Sequence, residues 1–148
     1  ISDIDKKTIP LAKANPNVNI LEVTGNMQYT FPMLTNVEPF GDVNVRKALK
    51  YACNREEMVN KILQGHGAAG NDNPIGPANQ YVNNDIEQLA YDPDKSKFYL
   101  KKAGMTSLNI DLSASDGAFS GAVDAAQLYQ NSAKAAGILR GKKSKRTN

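Results

Sequence analysis

The sequence predicts an α/β fold, and three observations carry that reading. Apolar residues recur at helical spacing in several separate stretches. Other short runs alternate with the period of two that a half-buried strand requires. The C-terminal part then runs strand, turn, helix, which is a βα unit. The predicted order is strand, strand, helix, helix, long loop, helix, strand, helix.

The elements come in chain order. A short helix is expected near Ile9–Ala14, and "NPN" at 15–17 is a turn. "VNILEVTG" alternates and reads as a strand ending at Gly25, with Val18 and Ile20 on one face and Leu21 and Val23 on the other. "MQYTFPML" is a second extended segment, which Pro32 confines to an edge or a crossing strand. Asp42 to Leu63 holds two helices. Val45, Ala48, Leu49 and Ala52 make one apolar stripe in the first. Asn54 and Glu57 have capping-box spacing at the start of the second, with Met58, Val59, Ile62 and Leu63 inside and Gly65 and Gly67 as stops.

Residues 68–91 show no periodicity, so a long functional or wrapping loop is expected there. Asp92 as N-cap and Pro93 as first residue begin a third helix, which Gly104 ends. "SLNIDLSAS" is a strand with Leu108, Ile110 and Leu112 inward. Ser120 is the expected cap of a last helix, whose small-residue face includes Ala122, Ala125, Ala133 and Ala136, with Gly137 closing it. No paired strand is expected after it, because "RGKKSKRTN" offers no apolar residue.

Charge is uneven. The chain of 148 residues carries +3 overall, and Arg140, Lys142, Lys143, Lys145 and Arg146 supply +5 of it, which leaves −2 for the rest. The sequence pI of about 8.9 therefore describes the terminus more than the body. A basic tail of this kind fits a nucleic-acid-binding or adaptor protein as the alternative reading, but no aromatic residue interleaves it, and a disordered solvated end is the plainer account. With 41% hydrophobic and 22% charged residues the composition is that of a folded chain. No window approaches the roughly 18 consecutive apolar residues of a membrane-spanning helix.

Little here suggests bond chemistry. His66 is the only histidine and Cys53 the only cysteine, so no ligand cluster for a metal is expected. His66 reads as a loop residue at a helix end, and Cys53 as a small buried hydrophobe rather than a nucleophile. "GHGAAG" comes after a helix, the wrong context for a phosphate cradle. "SASDGAFSG" lies between strand and helix, where free N–H groups can take an anion or carbonyl oxygen, although an ordinary βα turn accounts for it as well. No catalytic residue, cofactor or metal is expected.

One stretch is more specific than the rest: "PFGDVNVRKALKYACNREEMVNKILQGHGAAG". It resembles the solute-binding proteins of ABC importers, in the dipeptide/oligopeptide/nickel-binding family (family 5), which carry P-F-x-D-x-x-V-R-x-A-L-x-x-A-[IV]-[DN]-R followed by an apolar helix and a G-x-[GA] turn. Pro39, Phe40, Asp42, Val45, Arg46, Ala48, Leu49, Ala52, Asn54 and Arg55 fit, and Cys53 stands where an aliphatic residue is usual. "YDPDKSKFYLKKAG" is similar to the family's Y-D-P-x-K-A-x-x-L-L-x-x-A-G helix, with Ser96 in place of the usual alanine. "LYQNSAKAAGI" resembles the helix that precedes a strand in these proteins. The three motifs lie in the family's order between Asn26 and Ile138.

The resemblance implies part of the two-lobed periplasmic binding protein fold, mainly the first half of the second lobe. Residues 1–36 would be the end of the first lobe and the crossing strands, 37–138 a partial second lobe, and 139–148 a disordered basic tail. It implies a periplasmic, substrate-binding, non-enzymatic component of an ABC importer, with a peptide or other small solute and an ABC permease as partners and no nucleic acid. Complete members run to several hundred residues, so the chain is expected to be an internal portion, with its reading frame interrupted near Ile138. Self-association through an exposed sheet edge is also expected. The ligand-binding candidates are Asn26, Gln28 and Tyr29 at the crossing, Asn71, Asn73 and Tyr81 in the long loop, and Ser113, Asp116 and Phe119 at the βα turn.

Overall fold

A computed structural model describes residue 4, residues 6–23 and residues 25–140. After a 3-10 turn at Lys6–Thr8 come α1 (Ile9–Lys13), α2 (Val43–Tyr51), α3 (Arg55–Ile62), α4 (Pro93–Lys102), β1 (Leu108–Ile110), α5 (Ala122–Lys134) and β2 (Ile138–Arg140).

The helices begin where local chemistry tells them to. Asp42 has extended backbone and accepts from the Asn44 N–H at 2.7 Å, which starts α2. Asn54 accepts from the Glu57 N–H at 3.2 Å to start α3, and its own amide donates to the Glu57 carboxylate at 3.3 Å. The expected capping box thus closes side chain to side chain. Asp92 accepts from the N–H groups of Asp94 and Lys95, and Pro93 gives up no bond as the first helical residue.

The core forms where α2 meets α4. Val45, Ala48 and Ala52 are fully buried and Leu49 nearly so, because i, i+3, i+4, i+7 spacing turns them to one side. Leu100 meets them from α4, with Leu108, Ala133, Ala136 and Ile138 completing the cluster. Ser96, at the position where alanine is usual in the resembling helix, is fully buried and donates its hydroxyl to the Ala48 carbonyl at 2.7 Å. Its volume suits a close helix crossing, and its one donor is satisfied. On α5, Tyr129 and Ser132 donate to the carbonyls of Leu49 and Ala52, at 2.7 and 2.8 Å. The α5 N-terminus differs from expectation. Its cap is Gly121 in the left-handed region (φ 89) with no side-chain bond, and Asp116 rather than Ser120 reaches in, accepting from the Val123 N–H at 3.3 Å.

The sheet corrects three expectations. First, a paired strand does come after α5: β2 lies parallel to β1, with Leu108 opposite Ile138 and Ile110 opposite Arg140. Pairing uses backbone N–H and C=O groups, which Arg140 supplies as well as any residue, and the apolar side chain of Ile138, 4% exposed, joins the core. Gly137 (φ 76) makes the sharp entry, where a Cβ would stand 3.4 Å from the Thr106 carbonyl. The paired structure therefore runs to Arg140, into the first two residues of the expected disordered tail, and the remainder of that tail, 141–148, lies outside the described residues. Second, β1 stops at Ile110, and Leu112 lies beyond it, 36% exposed. Third, neither "VNILEVTG" nor "MQYTFPML" is a strand among the described residues. Alternation states which side an element would bury, but a ladder also needs a neighbour. These segments are fastened by side chains instead.

Candidate functional site

Residues 25–34, the segment expected to cross between lobes, make three attachments in succession. The Gln28 side-chain amide donates to the Pro74 carbonyl in the long loop at 3.1 Å. Tyr29 stacks on Phe119 of the βα turn, centroids 3.9 Å apart and planes 17° apart. Phe31 meets Tyr129 of α5 at 5.2 Å, tilted by 59°. Met33 then packs on the core. The segment so gathers loop, turn and last helix along one line. Just upstream, both carboxylate oxygens of Glu22 lie 3.0 Å from His66 Nδ1, in the turn after α3.

Five of the nine candidate residues are brought together here. Asn26 sits against Gly76, Gln28 bonds Pro74 beside Asn73, and Tyr29 and Phe119 form the stack. Asn73 accepts from the Ile75 N–H at 3.0 Å, which fixes its amide orientation; its Nδ2 is buried with no hydrogen-bond partner among the described residues. The other four stand differently. Asn71 accepts from the Asn73 N–H and shapes the loop. Asp116 is committed to the start of α5, and its charge occupies the place an anion would take at that helix end. Tyr81 is 75% exposed, and Ser113 is exposed on the turn.

Two arginines of the long motif each fasten a loop. Arg46 donates to the carbonyls of Phe40 and Gly41, at 2.7 and 3.0 Å, and holds the turn into α2. Arg55 donates to the carbonyls of Lys50 and Leu89 and to both oxygens of Asp72. The motif points to both arginines, but nothing in the spacing points to Asp72, because residues 68–91 lack periodicity.

Cys53 is 6% exposed, and burial pushes its thiol up to about 11, against the opposing pull of the Arg55 guanidinium. It is a neutral thiol near pH 7, unsuited to nucleophilic attack. Burial likewise raises the Tyr129 hydroxyl far above the usual phenol range, so it stays a donor to Leu49. A cavity of about 200 Å³ lies beside Glu56, Val59 and Gly67, and one of about 120 Å³ between Tyr51, Leu89 and Lys95. Neither is lined by residues 25–34. Among the described residues no helix is long and apolar enough to cross a membrane, and no three metal-ligating side chains gather.

The fold agrees with that of known proteins. The family model for bacterial extracellular solute-binding proteins, family 5 (middle segment), matches residues 1–139, and the chain belongs to that family. It is 37% identical over 104 residues to the dipeptide-binding protein of Escherichia coli (strain K12), a match covering 68% of this chain and 19% of the relative. It is also 37% identical over 93 residues to heme-binding protein A of Haemophilus influenzae, covering 62% and 17%. Among solved structures, the ABC transporter-associated periplasmic binding protein DppA from Helicobacter pylori, in complex with the peptide STSA, superposes with a TM-score of 0.69. That match has 21% identity and covers 93% of this chain and 26% of the other. The architecture is thus α/β, part of the two-lobed periplasmic binding protein fold. The chain spans about a fifth of the length of the curated relatives it matches.

Proposed function

We propose that this chain forms part of the solute-capturing component of an ABC importer, acting in the periplasm on peptides or a related small solute and delivering them to an ABC permease without bond chemistry. The family match over residues 1–139 is the observation that carries this reading. Peptide and heme appear in the names of two relatives, which supports a small solute without choosing among them. Residues 1–36 are the end of one lobe and the crossing, and residues 37–140 belong to the second lobe. The solute-facing surface is the line of Asn26, Gln28, Tyr29, Asn73 and Phe119, with Asn71, Tyr81, Ser113 and Asp116 at its margins.

A clamshell receptor buries its ligand between two lobes, and closure supplies much of the affinity. One lobe's face offers only part of the contacts, so this chain alone binds weakly, with millimolar rather than micromolar affinity. Calorimetry with a mixture of short peptides tests this: absence of micromolar binding is expected, and a micromolar constant contradicts it. Leu21, Met27 and Leu34 are 86%, 77% and 65% exposed, and the two-stranded sheet leaves its outer edges unpaired among the described residues. These features favour self-association, seen as light scattering that rises with concentration; a monomer throughout overturns that expectation.

A further inference from the structure

Arg55 reaches both ends of the long loop from the start of α3, and its side chain is 15% exposed. Nη1 donates to the Lys50 carbonyl at the end of α2 (3.1 Å) and to the Leu89 carbonyl at the far end of the loop (3.0 Å). Nη2 donates to Asp72 Oδ1 and Oδ2, at 2.9 and 3.0 Å, near the loop's beginning. Lys50 adds its ammonium 3.6 Å from the same carboxylate. Asp72 sits in the left-handed region (φ 64), uncommon for a residue with a Cβ, and the charge-assisted bonds offset that cost.

The contact extends beyond the loop itself. Asn73 and Pro74 come directly after Asp72, and the Pro74 carbonyl accepts from Gln28. Gln28 precedes Tyr29, which stacks on Phe119. A continuous path therefore runs from the helix core through Arg55, Asp72 and Pro74 to the crossing segment and the βα turn. Only a planar fork of donors spans these points; an ammonium can meet one or two of them.

We propose that Arg55 is a positioning residue for solute capture: it sets the 68–91 loop against the crossing segment and so holds Asn73 and Gln28 in register with the Tyr29–Phe119 pair. This rests on the reading that those segments face the solute. The test is made on the whole chain with Arg55→Lys and Asp72→Asn, by hydrogen exchange and side-chain NMR. Amide exchange at 70–76 is expected to quicken by about tenfold or more, with exchange along α2 and α4 within about twofold of the parent. The Gln28 amide and Tyr29 ring signals are expected to move toward unstructured positions. Unchanged Gln28 and Tyr29 signals alongside a released loop overturn the proposal, as does exchange rising equally in α2 and α4. Should Arg55→Lys fail to fold, Asp72→Asn decides, because it leaves the bonds to Lys50 and Leu89 in place. In a second arm trialanine is titrated into the millimolar range. Its failure to shift any parent signal counts against solute capture alone, with positioning still judged by exchange. Equal shifts in parent and Arg55→Lys count against positioning.

Discussion

Tyr29 and Phe119 stack with their ring centroids 3.9 Å apart, joining the crossing segment to the βα turn that precedes α5. Among the described residues no backbone ladder holds these segments together, so the ring pair is a principal fastening between them. Such a pair contributes about 0.5–1.5 kcal/mol beyond the area it buries. Phe119→Leu keeps most of the apolar volume and removes the ring. The expected result is a loss of the upfield ring-current shift on Tyr29, with global stability lowered by no more than about 2 kcal/mol. An unmoved Tyr29 spectrum would show that the stack does not persist in solution.

Ser96 tests the helix crossing. Ser96→Ala removes a hydroxyl that donates to the Ala48 carbonyl, but that carbonyl also accepts the Ala52 N–H, so no buried acceptor is orphaned. The expected cost in denaturant unfolding is about 1 kcal/mol. Ser96→Val overfills the α2–α4 contact and is expected to cost more, about 1–3 kcal/mol. A valine variant as stable as the alanine one contradicts the close packing.

The elements differ in how legible they are in the amino-acid sequence, and the reason is range. Helices α2, α3 and α4 announce themselves through caps within a few residues of their first turns, as with Asn54 and Glu57 or Asp92 and Pro93. Strand β2 does not, because Leu139 and Arg140 pair through backbone groups that side-chain identity does not report. The alternation of Val18 to Val23 suggests a strand that does not form, since it carries no information on a neighbour. Tyr29 and Phe119 each stand out as candidates, but their stacking joins residues far apart in sequence. Asp72 does not stand out, because the partner of Arg55 is set by the path of an aperiodic loop.

Strand β2 makes its own prediction. Ile138 is 4% exposed and shares a core with Leu100 and Leu108. Ile138→Ala is expected to cost about 2–5 kcal/mol in chemical unfolding. Replacing Lys142, Lys143, Lys145 and Arg146 by Gln, with β2 intact, is expected to leave the midpoint unchanged. If the Gln variant loses a salt-dependent affinity for DNA or RNA that the parent has, the nucleic-acid reading gains instead.

Cys53 gives a pH dependence with a definite sign. Its thiol is raised from 9.0 to about 11 on folding, so the folded state holds the proton more tightly than the unfolded chain. Its contribution to stability is complete below pH 9 and falls as pH rises through 9 to 11, by on the order of 2–3 kcal/mol. Tyr129 acts in the same direction. Cys53→Ala should flatten part of that decline in unfolding measured between pH 8 and 11. An identical decline in both proteins contradicts the assignment.

The proposed solute-facing surface spans the crossing segment, the long loop and the βα turn. Its most direct test is a residue-resolved NMR titration of the chain with short peptides at millimolar concentration. Shifts concentrated at Gln28, Tyr29, Asn73 and Phe119 are the predicted result; shifts confined to other surfaces, or none anywhere, would contradict it.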